Sequence, residues 1–449
     1  MNYDEFIAGK SQLGGSYGFE PLWMPDFLFD FQKYGVDWMT RMGRGAGFYN
    51  CGLGKAPMNL VCAENVVRKT NGRFIIFMPL AVCDQMQSEG EKFGVETAIC
   101  QDGRLPKSKI ILTNYERLHN FNPNDFEGAA CDESSCLKDF SSTTRNEIID
   151  FMSSLKYRHL WTATPSPNDY MELGNSSECL GVMKRVEMLG MFFTHDGSDT
   201  AKWCIKGHAQ NVFWRWVCSW ARACRKPSDL GFDDSKFILP ELIERQFIVD
   251  PRTSNRDFII EVSAVTLDEQ RAERRRTINE RCEKAAELHN AHQGQSVAWC
   301  GLNDEGDLLE RLIPNCVQVA GKDSDEEKLE KFKAFRTGQA KTMVTKAEIA
   351  SLGLNWQFAD YMTYFPSHSF ESWFQCVRRL WRFGQTKPVT VDVITSPAES
   401  RVIFNQQRKA RAADEMFEKL VKFMNDELKS GPENKSILKT KTPNWLNKN

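Results

Sequence analysis

Short, nearly continuous apolar runs alternate along this chain with longer polar stretches of helical character. Between residues 72 and 165 the clearest runs are Phe74–Met78, Lys109–Thr113, Ala129–Asp132 and His159–Thr162. A strand that is apolar at successive positions is buried on both faces, which calls for helices on either side and for parallel neighbours joined by crossovers. The same pattern returns after residue 295, at Ser296–Cys300, Val317–Val319, Thr342–Thr345, Tyr361–Phe365 and Val389–Ile394. The expected fold class is therefore α/β, in two lobes, each a parallel sheet flanked by helices.

The stretch between the lobes reads differently. It carries Trp203, Trp214, Trp216 and Trp220 among Arg215, Arg222 and Arg225, and is expected to be a mainly helical insertion with a small core of its own. Tryptophan at near-helical spacing favours packing, and stacking on nucleic-acid bases is the alternative. From Leu267 to His292 a long helical pattern includes the charge run Arg271–Arg276, read as a solvated helix face. Beyond Lys429 the chain turns polar, with Gly431, Pro432 and Pro443, and is expected to be a loose tail.

Composition narrows the class more than it identifies it. A length of 449 residues suggests two or three domains, and no apolar run approaches the ~18 residues that span a bilayer. No membrane segment is expected. The start, Met1–Phe6, lacks the basic and apolar regions of a secretory signal, so a cytoplasmic protein with its 14 cysteines as thiols is expected. No Cys-x-x-Cys pair points to zinc, and small buried side chains are the favoured reading of Cys131, Cys136 and Cys204. The net charge of −2 gives no global pull on phosphate, so nucleic-acid binding would need a local basic surface.

Candidate chemistry begins at Gly52-Leu53-Gly54-Lys55, directly before the helical run Met58–Val67. Glycines ahead of a helix let backbone N–H groups turn toward phosphate oxygens, the helix N-terminus adds positive potential, and a lysine meets the β- and γ-phosphates. Tyr49 and Ala56 stand where the full pattern has glycine and Ser or Thr. Asp132-Glu133 closes an apolar run, which places both carboxylates at the carboxyl edge of a parallel sheet, where ligands bind. There Asp132 can hold magnesium and Glu133 can orient the attacking water. Further on, Gln375, Arg379, Arg382, Gly384 and Gln385 lie in one stretch. Arg379 and Arg382, three apart on a helix, would share a face and reach an ATP held by the other lobe.

These residues, in this order, resemble superfamily 2 helicases of the Swi/Snf-like branch, and are most similar to the compact forms of bacteriophages and prophages. The resemblance runs from about Pro25 to about Ser396. It implies two RecA-like lobes: 25–190 binding ATP and 266–425 completing the site, with 1–24 as an N-terminal segment, 191–265 as the insertion and 426–449 as the tail. It implies that Gln32 reads adenine, that Gly52, Gly54, Lys55, Ala56 and Gly353 line the nucleotide, and that Gln375, Arg379 and Arg382 act with Glu133 in catalysis. Pro79, Thr113, Asn114, Asn355, Trp356 and Gln357 would contact nucleic acid, and Thr162–Pro165 would couple hydrolysis to lobe movement. ATP and Mg2+ are the implied cofactors. Duplex DNA is favoured over RNA as partner, with replication or recombination proteins as further partners and a bacterial or phage-infected cell as the setting.

Ala56 removes the hydroxyl that the family uses on magnesium, although water can fill that position because magnesium keeps several waters. Two functions follow: a DNA-dependent ATPase that translocates, or a nucleotide-regulated clamp on DNA that hydrolyses weakly.

Overall fold

The computed structural model describes residues 17–138, 142–166, 168–195, 203–250, 267–350, 354–367 and 369–430. Up to residue 224 its strands are β1 Arg44–Tyr49, β2 Phe74–Met78, β3 Thr97–Ile99, β4 Ile110–Asn114, β5 Gly128–Asp132, β6 Tyr157–Thr162, β7 Phe193–His195, β8 Trp203–Ile205 and β9 Ala221–Cys224. Apart from the antiparallel β7–β8 pair, they form one parallel sheet in the order β3-β4-β2-β5-β6-β1-β9. The four expected runs are its centre: β2, β4, β5 and β6 are buried along their whole length.

The second lobe repeats the plan with β10 Leu242–Ile248, β11 Ser296–Cys300, β12 Cys316–Val319, β13 Thr342–Lys346, β14 Tyr361–Tyr364 and β15 Val389–Thr395. These are all parallel, in the order β10-β15-β14-β11-β13-β12. Two parallel sheets flanked by helices are the α/β architecture expected from the pattern.

Strand order is what builds a site. The loop after β1 leads into the helix Lys55–Thr70, and the chain then returns as β2, leaving room for β5 and β6 between them. The segments leaving β1, β5 and β6 therefore sit side by side at one carboxyl edge, where the crossovers reverse direction.

The Trp-rich segment does not make a core of its own. The helix Gln210–Trp220 buries Trp214 and Trp220 completely, in one apolar cluster with Phe77, Ile111 and Leu160 of the first sheet, and β9 extends that sheet beside β1. Truncating a buried tryptophan costs on the order of 3–5 kcal/mol, whereas stacking on a base gains about 1–3. Packing therefore wins for Trp214 and Trp220.

The charge run Arg271–Arg276 is likewise more than a solvated face. It falls in the helix Leu267–Arg276, where Arg274 Nε donates to Glu399 Oε1 at 3.1 Å and Glu399 is buried. The helix Ile278–Ala291 follows after Thr277.

The last helix, Ser400–Ser430, leaves the second lobe and returns to the first: Met416, Phe417, Leu420, Val421 and Met424 are buried in the cluster that holds Trp214 and Trp220. Of the tail expected at 426–449, residues 426–430 belong to this helix and 431–449 lie outside the described residues, as do residues 1–16 of the N-terminal segment. Among the described residues no helix is long and apolar enough to cross a membrane, and no group of three or more His, Cys, Asp or Glu is placed around a metal site. All 14 cysteines are free thiols.

Candidate nucleotide site in the cleft between the lobes

After β1 the chain turns through two left-handed glycines, Gly52 at φ 84° and Gly54 at φ 76°, before entering the helix at Lys55. Both must be glycine for reasons of space as well. A Cβ on Gly54 would come within 2.2 Å of Gln32 Nε2, and one on Gly52 within 2.9 Å of the backbone N of Phe383, from the other lobe. The helix that follows has no side-chain cap and no acidic residue in its first turn, so the positive end of its dipole is left uncompensated. That is an anion site.

Lys55 stands at its first position, with Nζ donating to Tyr49 O at 3.1 Å. Gln32 is buried beneath the loop. Its Nε2 donates to Leu53 O at 2.9 Å, which braces the glycine loop, and its Oε1 accepts from the Phe29 N–H at 3.0 Å, which caps its own helix Asp30–Met42. Ala56 packs against the apolar cluster under the helix.

Asp132 ends β5 and Glu133 follows in a left-handed conformation, φ 54°, which turns the chain sharply at the edge. Both side chains are buried, and Asp132 Oδ1 and Glu133 Oε2 have no hydrogen-bond partner. Leaving carboxylate oxygens buried and unpaired is costly. Burial first, and then the charges of Glu133 and Glu89, push the Asp132 carboxyl up to about 7, against the pull of Lys55. Two orphaned acidic oxygens near a lysine and an uncapped helix end would suit a hard divalent cation, which takes oxygen ligands. These residues fit a divalent cation such as Mg2+, which Asp132 would hold.

A pH dependence follows. The folded pKa of Asp132 lies above its ordinary value, so the metal-free fold is favoured at low pH and loses that advantage as pH rises through about 7. Magnesium needs the ionised form. The gain in thermal midpoint on adding Mg2+ with ADP is thus expected to be larger at pH 8 than at pH 6; an equal gain at both would show that Asp132 is ionised throughout.

From the second lobe, Arg382 faces these groups. The helix Phe370–Leu380 ends before it, and Arg382 lies half-buried within electrostatic reach of Cys51, Glu89 and Glu133, with Asn355 Oδ1 accepting from its Nη1. Burial, then the neighbouring Arg379, lower its pKa to about 10, which leaves it charged at neutral pH.

Arg379 does not share that face. It is 3% exposed and spends its guanidinium on Gln375 O at 3.3 Å, Gln375 Oε1 at 2.6 Å and Leu354 O at 3.0 Å. The expectation that both arginines enter the cleft is corrected because the helix stops at Leu380. Gln375, expected to be catalytic, is the buried partner of Arg379. Gly384 and Gln385 close the turn, with Gln385 Nε2 donating to Ala359 O at 2.9 Å.

The residues expected on nucleic acid divide. Thr113 is wholly buried inside β4, and Trp356 is packed with Trp299, Phe332 and Phe335 in the second core, so neither presents a surface. Asn114 is 5% exposed and donates to Glu116 Oε2 at 2.7 Å. Asn355 belongs to the setting of Arg382. Pro79 and Gln357 are half-buried, and Leu80, beside Pro79, is exposed. Gly353 lies outside the described residues.

Sequence reasoning missed Glu89, whose carboxyl is pushed up by burial against the pull of a Gln85 hydrogen bond and then of Arg382, and Phe383, whose ring meets Phe29 and Phe237 at 6.4 and 5.0 Å. It also missed Glu371, which lies four residues before Gln375 and eight before Arg379, a helical spacing that could have drawn attention to it.

No family model matches the chain, and no curated protein matches it either. Among solved structures the chain is similar to the SWI2/SNF2 ATPase core of Sulfolobus solfataricus in complex with dsDNA, at 16% identity and a TM-score of 0.44, over 92% of this chain and 97% of that one.

Proposed function

We propose that the protein is an ATP-driven motor on nucleic acid, of the Swi/Snf-like superfamily 2 type, acting on duplex DNA. The observation that carries this reading is the meeting, in one cleft, of an uncapped helix N-terminus with Lys55, two unpartnered buried carboxylates at Asp132 and Glu133, and Arg382 from the opposite lobe.

Each group has a part. Lys55 and the loop N–H groups hold the β- and γ-phosphates, and Asp132 holds magnesium, which neutralises developing charge on the phosphate oxygens when bound. Glu133 orients the attacking water. Arg382 supplies a fixed positive fork to the transferring phosphoryl group. Because Arg382 and Lys55 sit on different lobes, the triphosphate draws the lobes together and hydrolysis releases them. A tracked strand that binds the two states differently is then moved. Duplex DNA comes from the resemblance of the sequence.

The test is displacement of a third strand from a triplex, run beside separation of a labelled duplex. ATP-dependent loss of the third strand with the duplex intact supports translocation. Separation of the duplex would make the protein an unwinding helicase instead.

Ala56 favours a second reading, the nucleotide-regulated clamp, because one magnesium position must be filled by water. Under that reading neither substrate is displaced, and Ala56→Thr restores turnover.

A further inference from the structure

The cleft is bridged a second time, at the start of the helix that precedes Arg382. Glu371, the second residue of the helix Phe370–Leu380, forms an ion pair with Lys138 through Oε2 and accepts from Thr164 Oγ1 at 3.4 Å through Oε1. Its side chain is only 12% exposed.

The two partners are the segments that leave the nucleotide edge. Lys138 closes the 3-10 turn Ser134–Lys138 that begins right after Asp132-Glu133, and Thr164 follows β6 with its N–H bound to Thr162 Oγ1 at 3.0 Å. One carboxylate therefore touches the chain leaving β5 and the chain leaving β6. The same helix, about 14 Å long from Glu371 to Leu380, leads to Arg382 at its far end. A helix of this length behaves as a rod, so a shift at Glu371 is carried to the guanidinium.

We infer that Glu371 is a positioning residue: by engaging Lys138 and Thr164 it sets the register of the second lobe on the first, and with it the place of Arg382 at the phosphates. The inference rests on reading the cleft as an ATP-hydrolysing site. A merely structural surface ion pair would contribute little and leave kinetics alone. Register matters more, because displacing a reacting group by about 1 Å can cost ~100-fold in rate.

Glu371→Gln keeps the shape and removes the charge, and the double variant Lys138→Glu with Glu371→Lys reverses the pair. Three readouts are compared on the full chain: hydrogen exchange of residues 162–166 without nucleotide, kcat and KM for ATP with DNA, and equilibrium binding of a fluorescent ATP analogue. For Glu371→Gln, exchange at 162–166 is expected to rise and kcat to fall by about tenfold to 100-fold. KM and analogue binding should change by less than about threefold, and the reversed pair should recover a large part of kcat. Unchanged exchange, or raised exchange with unchanged kcat, overturns the inference, as does a loss that appears in KM alone. A wild-type protein without turnover contradicts the ATPase reading itself, while exchange still tests the bridge.

Discussion

Arg382→Ala is expected to lower kcat for ATP hydrolysis by about three orders of magnitude or more, the scale seen when an arginine finger is removed from a phosphoryl-transfer site. Affinity for ATP should change far less, because the guanidinium acts on charge that develops in the transition state. The geometry makes the prediction specific to one arginine. Arg382 lies beyond the end of its helix, near Glu133 and Glu89, whereas Arg379 is enclosed by Gln375 and Leu354. Arg379→Ala should instead lower the thermal midpoint, since it strands the buried Gln375 Oε1 and removes the bond to the half-buried Leu354 O. Steady-state kinetics and thermal unfolding of the two variants measure this directly. Equal loss of kcat with unchanged stability in both would place both guanidiniums at the phosphates.

Lys55→Ala should remove about two to three orders of magnitude of turnover and weaken ATP binding as well, because a lysine on the phosphates contributes both before and during the reaction. Stability should move by no more than about 0.5 kcal/mol. The ammonium hydrogen-bonds Tyr49 O and is not part of the buried core. Hydrolysis assays paired with unfolding curves separate the two effects. A variant that keeps its turnover would remove Lys55 from the site.

Much of the fold was legible because the central strands are buried on both faces. Phe74–Met78 and Ile110–Asn114 are buried at every position, and Ile110–Leu112 is apolar on both faces. The strands that escaped notice had physical reasons to. β1 reads Arg-Gly-Ala-Gly-Phe-Tyr, with glycines that weaken any strand signal, yet a Cβ on Gly47 would meet the Trp161 ring at 2.4 Å. That requirement is set by the neighbouring strand and is invisible locally. β10 is a half-exposed edge, and β9 is only four residues long.

The site divides in the same way. The placement of Lys55 at a helix start and of Asp132 and Glu133 at a strand end was legible from order and spacing, because strand edges and helix starts fix where such residues project. The separation of Arg379 from Arg382 was not, because it depends on where a helix ends. Trp381 leaves helical geometry at φ −89°, ψ 82°, and its indole N–H donates to Pro240 O at 2.7 Å, a contact 141 residues away in sequence. Thr113 and Trp356 were expected on nucleic acid by resemblance and are core residues by burial. The Trp-rich segment was set apart on composition, while its tryptophans fill the core of the first lobe.

Under the proposed function this cleft hydrolyses ATP under the control of duplex DNA. The most direct test of that function is steady-state hydrolysis by the purified protein with no nucleic acid, single-stranded DNA, duplex DNA or RNA, each beside Lys55→Ala. Turnover is expected to be stimulated most strongly by duplex DNA and to fall by about two to three orders of magnitude in the variant. Turnover that is absent in every condition, or that is undiminished without Lys55, would contradict it.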